Sequence, residues 1–326
     1  MNPELINTFN SIVRSATPLI IASLGETITE RAGMINLSLN GSLLLSALAG
    51  YVVAKVTGSI VLGVLAAAIV GALIAAIIGL GAIQLRQDQV ALGFVLTLLA
   101  EDMAKFLGSP YNRQPGLSLG QQPIPLLSDI PIIGPILFDQ NAFVYFSYVL
   151  IFALWWWLFR SRAGLAHRAV GERPEAAFAR GTSVNTLRFL ALIVGGALAG
   201  VAGAAYSLDV KAGWAASPAM DGDGWIALAI VIFGGWHPFR VAFGAYLFAA
   251  LRAAASAIQR SPDLNIPLVL LNALPWLLMI GTLMLVSTGA LDRLVRVMPG
   301  PIQRRLRQIL RSDPPAALGR TFEANP

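Results

Sequence analysis

The chain has 326 residues, of which 56% are hydrophobic and 12% are charged, and its formal net charge is +6 at pH 7. Soluble domains carry about 25% charged residues, so this composition excludes an ordinary soluble globule and indicates a membrane protein. No basic face with interleaved aromatic residues occurs, so the positive charge reports membrane topology and not nucleic-acid binding. The absence of cysteine excludes disulfides and thiolate metal sites.

Apolar runs long enough for a membrane helix, which needs about 20 residues, recur along the chain. We predict an all-α, polytopic transmembrane helical bundle of about nine segments, placed at residues 11–29, 35–54, 59–85, 89–107, 141–159, 186–208, 223–236, 241–258 and 266–288. Segment 223–236 is the weakest, because it is shorter than the bilayer core. We expect one transmembrane domain over residues 1–311 and a disordered cytoplasmic tail at 312–326.

Close packing between helices is predicted by small residues that recur at four-residue spacing. Gly195, Ala199 and Gly203 lie on one helix face and permit close approach of a neighbour.

The first stretch of polar residues between the apolar runs is LGETITERAGMINLSLNG, residues 24–41. Glu26, Glu30 and Arg31 are expected at the cytoplasmic end of the first helix. There Arg31 lies within reach of a carboxylate, and Gly33 makes the turn. These residues are predicted to serve structure.

The polar side chains that follow fall in pairs four residues apart, and each pair therefore shares a helix face. The pairs are Asn36 with Asn40, and Ser38 with Ser42. Two interpretations stay open. Asn36 or Ser38 caps the next helix, or the four side chains line the path of a neutral, hydroxyl-rich solute, which an amide binds without a charge to desolvate.

Further charged residues lie within the predicted helices. Glu101 is expected to solvate the outer rim of its helix or to pair with Lys105. Asp223 is expected to cap the short segment 223–236. Arg252 lies deeper and is expected to face the bundle or to extend to the interface.

Two connections differ strongly in composition. The connection 108–140 contains six prolines, which cannot donate to a helix ladder, and we expect an irregular external cap. The connection 160–188 contains six arginines, and another group lies between residues 293 and 311. The positive-inside rule places both arginine groups in the cytoplasm. The predicted N-terminus is therefore outside and the C-terminus cytoplasmic.

The sequence carries no motif for catalysis or for ATP binding. His167 and His237 are the only histidines, and neither HExxH nor GxSxG occurs. None of the three lysines follows a glycine, so there is no P-loop. We therefore predict no enzyme activity, no catalytic residue, no cofactor and no metal site. Because the chain cannot bind ATP through a P-loop of its own, any energy that it uses must come from a partner or from an ion gradient.

The arginine-rich connection contains RAVGERPEAAFARG, residues 168–181. Pro174 suits the first turn of a short helix over 174–178, Glu175 its positive end, and Gly181 its C-cap. By its residues alone this stretch is either a solvated connector or an exposed docking helix.

This stretch resembles the cytoplasmic coupling segment of permease subunits of ATP-binding cassette importers, in the nucleoside and simple-sugar branch related to branched-chain amino-acid permeases. GETITERAGMINLSLNG resembles the N-terminal motif of that branch, and most closely that of its nucleoside members. GWIALAIVIFGGWHPF, residues 224–239, is similar to its late-helix motif. The chain departs from the pattern at Asn40, where glutamate is usual, and at Ser38, where glycine is usual.

The resemblance implies a permease that imports a small polar solute, a nucleoside in the first place, by alternating access through the prokaryotic cytoplasmic (inner) membrane. Implied partners are two ATP-binding cassette ATPase subunits, a second permease that is a paralogue or a copy of this chain, and an external substrate-binding lipoprotein. The implied ATPase-coupling residues are Arg168, Gly171, Glu172, Arg173, Pro174, Glu175, Ala176, Ala177 and Gly181.

Other functions remain open. A simple sugar or a branched-chain amino acid could replace the nucleoside in the same type of permease. An ion-coupled secondary transporter should instead show a carboxylate at mid-bilayer and no docking helix. A membrane enzyme has no catalytic cluster to support it.

Overall fold

The structure is a computed structural model that describes residues 3–215, 220, 222–259 and 314–323, together with the isolated helical positions 273, 277, 280 and 281. The described residues form an all-α architecture. The helices are α1 (Pro3–Arg31), α2 (Leu39–Thr57), α3 (Ile60–Gly79), α4 (Gln89–Gly108), α5 (Ala142–Arg160), α6 (Arg162–Glu172), α7 (Pro174–Ala179), α8 (Val184–Ala205), α9 (Asp223–Gly234) and α10 (Pro238–Gln259). Single π-helical turns extend α3 over Leu80–Gln84 and α8 over Tyr206–Val210.

Among the described residues, five helices, counted with their π-helical extensions, are long and apolar enough to cross a membrane. They span Leu39–Thr57, Ile60–Gln84, Ala142–Arg160, Val184–Val210 and Pro238–Ile258. The chain is therefore a polytopic helical membrane protein. Helices α1, α4 and α9 lie at three more of the predicted segments. The segment predicted at 266–288 lies outside the described residues except for four isolated positions, and so does the arginine group at 293–311.

Helix α1 runs through the centre of the bundle. It packs against α5, α8, α9 and α10, and its side chains are buried almost without interruption from Ala16 to Glu30. Helices α3 and α4 instead expose broad apolar faces, on which Leu73 is 59% and Leu98 57% exposed. An exposed apolar face of this kind suits contact with lipid, because lipid tails are as apolar as leucine.

The predicted close approach of helices through small residues is confirmed on α8. A Cβ atom added to Gly195 would lie 2.1 Å from Thr29 Oγ1 on α1, and one added to Gly203 would lie 2.6 Å from the Leu43 carbonyl on α2. Ala199 between them is fully buried. One stripe of α8 therefore packs against two helices at distances that only small residues permit.

The short helix predicted in the arginine-rich connection is confirmed. Helix α7 begins at Pro174 and spans Pro174–Ala179, and Gly181 follows it with a left-handed φ of +84°. The sequence did not predict α6, whose first turn is capped by Ser161 Oγ accepting from the Gly164 amide at 2.9 Å. In the connection 108–140, short helical turns occupy only Ser109–Tyr111 and Gly134–Phe138.

Residues 314–323, which the sequence predicts as part of a disordered tail, instead pack on the folded chain. Ala317 is 4% exposed, and its amide donates to the Gly171 carbonyl at 2.9 Å. Because backbone groups of this segment form hydrogen bonds with the folded chain, the segment has a defined position, although its composition predicts disorder.

Candidate functional site

Polar side chains meet where α1 leads into α2. The backbone amide of Asn36 donates to Glu26 Oε1 at 3.2 Å. The side-chain oxygen Asn36 Oδ1 accepts from the backbone amide of Ser38 at 3.1 Å and from the Ser38 hydroxyl at 2.6 Å. The Ser38 and Ser42 hydroxyls lie 3.1 Å apart. Asn36 thus forms an Asx-type turn that leads into α2, in line with the capping interpretation. All four side chains are buried.

Two polar atoms of this cluster are buried without a hydrogen-bond partner among the described residues: Asn36 Nδ2 and Glu26 Oε2. Asn36 and Glu26 are each 1% exposed. A buried donor or acceptor without a partner costs about 1–3 kcal/mol, so native structures rarely keep one without a reason. Together the two atoms offer one donor and one acceptor to a further group.

Asn40 caps a helix other than its own. Its Oδ1 accepts from the amides of Gly222 and Gly224, both at 3.0 Å, at the N-terminal end of α9. Its Nδ2 donates to Glu101 Oε1 of α4 at 2.6 Å. Glu101, expected at the rim of its helix, thus contacts Asn40 inside the bundle. Both ends of the Asn40 amide are occupied within the protein.

Arg31 occupies the other end of α9. Its guanidinium donates to the carbonyls of Trp236 at 3.1 Å and Gly235 at 3.4 Å, and the Trp236 indole donates to Glu30 Oε2. The carboxylate within reach of Arg31 belongs to Glu172 of α6, at 3.8 Å.

Helix α9 needs partners at both ends because it is short. Its 12 residues span about 18 Å, less than the roughly 30 Å of the hydrocarbon core. The free backbone groups at the ends of such a helix must find partners within the protein. The stretch from Glu30 to Asn40 supplies them at both ends, and this accounts for much of its polarity.

A second buried cluster joins α8, α9 and α10. The Arg252 guanidinium forms an ion pair with Asp223, with Nη1 at 3.1 Å from Asp223 Oδ2, and it also donates to the Tyr206 hydroxyl at 3.3 Å. Tyr206 itself donates to Asp223. The prediction that Asp223 caps α9 is wrong, since Gly222 holds the cap position and the carboxylate points to Arg252. Of the two positions expected for Arg252, facing the bundle or extending to the interface, the structure shows the first.

A cavity of about 340 Å³ lies beside this cluster. Tyr206, Ser207 and Met220 line it together with Lys211, Trp214 and residues 113–115 of the proline-rich connection. None of Asn36, Ser38, Asn40 and Ser42 lines this cavity. The structure therefore buries the predicted solute residues in contacts within the protein.

Residues 168–181, the segment that the resemblance implies for coupling and that is called the coupling segment below, have an inner and an outer side. On the inner side Pro174 and Ala177 are buried, and a Cβ atom on Gly171 would lie 2.2 Å from the Arg31 carbonyl. On the outer side Glu172, Arg173, Glu175 and Ala176 are exposed.

Arg168 belongs to the inner side, and His167, which directly precedes the segment, is buried beside it. The Arg168 guanidinium lies 5.0 Å from the Phe159 ring centroid, and His167 Nε2 is 2.8 Å from the Ile28 carbonyl. Burial lowers the pKa of His167 from 6.5 to about 4, and the Arg31 charge adds to this effect. His167 is thus neutral at pH 7. Because burial disfavours the protonated form in the folded state, the fold should be most stable above about pH 6.5 and should lose stability as the pH falls toward 4.

The sequence interpretation missed Trp236, Tyr206 and His167 as members of these clusters. Trp236 follows the glycine pair that ends α9, and its φ of +54° is unusual for a bulky residue. The paired glycines in IFGGWHPF were the available signal for an abrupt helix end. Nothing in the sequence indicated the partners of Tyr206 and His167, which come from distant helices.

Comparison with known proteins gives consistent matches along the chain. A family model described as branched-chain amino acid transport system / permease component matches residues 8–288. The putative glucose ABC transporter permease protein TsgC13 of Haloferax volcanii is 38% identical over 267 residues, which is 79% of this chain and 80% of that protein.

Two further relatives are named for nucleosides. The nucleoside ABC transporter permease protein NupC of Lactococcus lactis is 33% identical over 86% of this chain and 94% of its own length. The guanosine ABC transporter permease protein NupQ of Bacillus subtilis is 32% identical over 85% and 90% respectively. No solved structure matches the chain. With a family match that spans most of its length and with these ABC permeases as relatives, the chain belongs to the permease components of the branched-chain amino acid transport family, as a transport subunit and not an enzyme.

Proposed function

We propose that the chain is the membrane-spanning subunit of an ATP-driven importer that carries a nucleoside into the cell by alternating access. The observation that carries the choice of solute is the pair of buried, unpartnered atoms, Asn36 Nδ2 and Glu26 Oε2. One donor beside one acceptor complements a base edge or a ribose hydroxyl. The relatives named for nucleoside and guanosine transport support the same class.

A simple sugar is the second candidate. The relative named for glucose transport shares 38% identity with this chain, and sugar hydroxyls also combine donor and acceptor. Transport of a branched-chain amino acid finds less support. Glu26 Oε2 could accept from an ammonium group, but the Arg31 guanidinium already donates to the end of α9, so it is not available to neutralise the carboxylate of an amino acid.

The proposed solute path passes the start of α2, at Asn36, Ser38, Asn40 and Ser42. In the conformation described, Asn40 holds the N-terminal end of α9 and Asn36 holds the first turn of α2. Alternating access would open this packing, so that solute groups take over hydrogen bonds that the protein makes with itself in the closed state. A half-length helix whose end lies inside the bundle suits such an exchange.

The proposed topology has nine membrane segments within one domain over residues 1–311, in a prokaryotic inner membrane. The N-terminus lies outside and the C-terminus in the cytoplasm. The end of α1 at Arg31 meets α6 through Glu172. Exposed arginines lie at the start of α6 and on both sides of α7: Arg162, Arg173 and Arg180. A concentration of exposed arginines at one end of the bundle supports a cytoplasmic location for that end.

The outer side of the coupling segment is the proposed docking site for the ATPase subunits. Its exposed residues alternate in charge beside the α7 helix, and its inner side is fixed to α1 through Gly171 and Arg31. The second permease and the external binding lipoprotein complete the proposed assembly.

Transport is expected to require the separate ATPase. Proteoliposomes that contain the full complex should accumulate labelled guanosine when ATP reaches the ATPase subunits, and a large excess of glucose should not compete. The chain alone should neither hydrolyse ATP nor accumulate guanosine under a proton or sodium gradient, because it has no P-loop. Accumulation of glucose instead of guanosine would favour the second candidate. Gradient-driven accumulation by the chain alone would rule out the ATP-driven class.

Charge reversal on the outer side of the coupling segment is expected to uncouple the complex. Arg173→Glu and Glu175→Arg should each lower uptake and weaken co-purification of the ATPase, and the defect should depend on salt, because exposed charges act mainly on association. Arg162→Glu changes an exposed arginine at the start of α6 and is the matched control. Arg168 is unsuitable for this test because it stacks on Phe159. Wild-type uptake and ATPase capture by both coupling variants would contradict the assignment.

A further inference from the structure

Residues 314–323, the strap, lie across the end of the bundle that is proposed to face the cytoplasm. The Ala317 amide donates to the Gly171 carbonyl at 2.9 Å, and the Gly319 amide donates to the Gly33 carbonyl at 3.0 Å. The strap is therefore bonded at one point to the coupling segment and at another to the turn between α1 and α2.

Side chains hold the strap at further points. The buried Arg188 of α8 donates from Nη1 to the Arg320 carbonyl at 2.8 Å, and the Arg86 guanidinium lies 2.9 Å from Glu323 Oε1. On α7, Phe178 packs against Phe322 with ring centroids 5.6 Å apart. The contacts thus reach the coupling segment, α8, and the connection between α3 and α4.

The contact with the α1–α2 turn depends on glycine. Gly33 has a φ of +89°, and a Cβ atom there would lie 3.1 Å from the Ala317 carbonyl and 3.0 Å from Arg188 Nη2. Three residues further on, Asn36 forms the polar cluster with Glu26. A displacement of the strap at Gly33 therefore acts directly on the backbone that leads into this cluster.

We propose that the strap is a coupling element: it ties α7 to the α1–α2 turn, so that movement of α7 also moves the backbone that carries Asn36. This inference rests on the proposed function, since it assumes that an ATPase moves α7. The strap acts through other residues and touches no solute, so its role is one of positioning. Elements that pack against each other, as the strap packs against α7 and the α1–α2 turn, can transmit a movement when the packing has two discrete arrangements.

Unseating the strap tests this role. Ala317 is 4% exposed and Ala316 is exposed, so Ala317→Trp should displace the strap while Ala316→Trp leaves it in place. With Ala317→Trp, the complex should still bind its ATPase, but uptake should fall about 10-fold or more, because movement of α7 would no longer reach the α1–α2 turn. Solute should no longer stimulate ATP hydrolysis. Unchanged uptake with Ala317→Trp would overturn the proposal.

A cross-link distinguishes a strap that moves together with α7 from a strap that must leave its site during transport. The chain contains no cysteine, so Phe178→Cys with Phe322→Cys introduces one thiol pair, at positions whose rings pack 5.6 Å apart, and a short bifunctional thiol reagent can bridge it. A strap that moves with α7 should keep most of its uptake when the pair is bridged. A strap that must leave its site during transport should instead lose uptake on bridging, and the loss would overturn the proposal. This readout also serves if Ala317→Trp lowers the amount of folded protein.

The wild-type complex separates failure of this inference from failure of the proposed function. If the wild-type complex shows no ATP-dependent uptake, the proposed function fails. If the wild-type complex transports and the two strap tests fail, only the coupling role of the strap is wrong.

Discussion

Removal of the Asp223 carboxylate is expected to destabilise the protein more than other single changes of a charged side chain. Asp223 is fully buried, and Asp223→Ala would leave the Arg252 guanidinium beside Tyr206 without its anion. Breaking one side of a buried ion pair costs 3–5 kcal/mol in typical proteins. We expect about 3 kcal/mol, the lower end of that range, because 36% of the Arg252 side chain remains exposed.

The measurement is the free energy of unfolding in mixed micelles, together with the yield of monodisperse protein. Asp223→Ala combined with Arg252→Met removes both charges and should restore most of the loss, since replacing a whole buried pair by apolar groups is often neutral. Glu323→Ala removes a carboxylate from the exposed pair with Arg86 and should cost less than about 1 kcal/mol. Equal losses for Asp223→Ala and Glu323→Ala would show that the Asp223 pair is not buried as described.

Asn40→Leu is expected to lower the amount of folded protein as well as uptake. The substitution keeps a similar volume but leaves the amides of Gly222 and Gly224 and the Glu101 carboxylate without the partners described here. Each buried group left unpaired costs about 1–3 kcal/mol. We therefore expect lower expression and a lower thermal stability than in the wild type, in addition to the loss of uptake.

Glu26→Gln, unlike Asn40→Leu, is expected to lower uptake without lowering the amount of folded protein. Glutamine keeps an oxygen to accept from the Asn36 amide, and the group at the unpartnered Oε2 position becomes a donor. If the solute donates to that atom, uptake should fall roughly 5- to 150-fold, the equivalent of about 1–3 kcal/mol, while folding stays intact. Normal folding with Asn40→Leu, or normal uptake with Glu26→Gln, would contradict these respective roles.

Local features of the fold were predictable because they depend on neighbours in the sequence. Pro174 and Gly181 delimit α7 at both ends, and the small residues of α8 mark its close contacts. The predicted segments from 35–54 through 241–258 coincide with described helices because hydropathy responds to the solvent around each stretch. Helix α6 escaped prediction, since it is short and its mixed composition resembles a loop.

Pairing between distant polar residues was not predictable to the same degree. Asn40 and Ser42 were placed correctly on α2, but the sequence could not show that Asn40 reaches across to α9. Arg31 was expected near a carboxylate, yet Glu172 lies on another element more than a hundred residues away in sequence. Likewise, the composition of 314–323 favoured disorder, whereas backbone hydrogen bonds to Gly33 and Gly171 hold it in place.

The sequence by itself determined the membrane class, the all-helical architecture, the absence of a P-loop and the resemblance to ABC permeases. These follow from composition, from apolar periodicity and from contiguous motifs. Only the tertiary structure decided that the stretch from Glu30 to Asn40 holds both ends of α9, that Asp223 neutralises Arg252, and that the strap joins the coupling segment to the α1–α2 turn. The physical reason is that a polar group inside a membrane protein must find a partner, but which partner it finds depends on how distant helices pack.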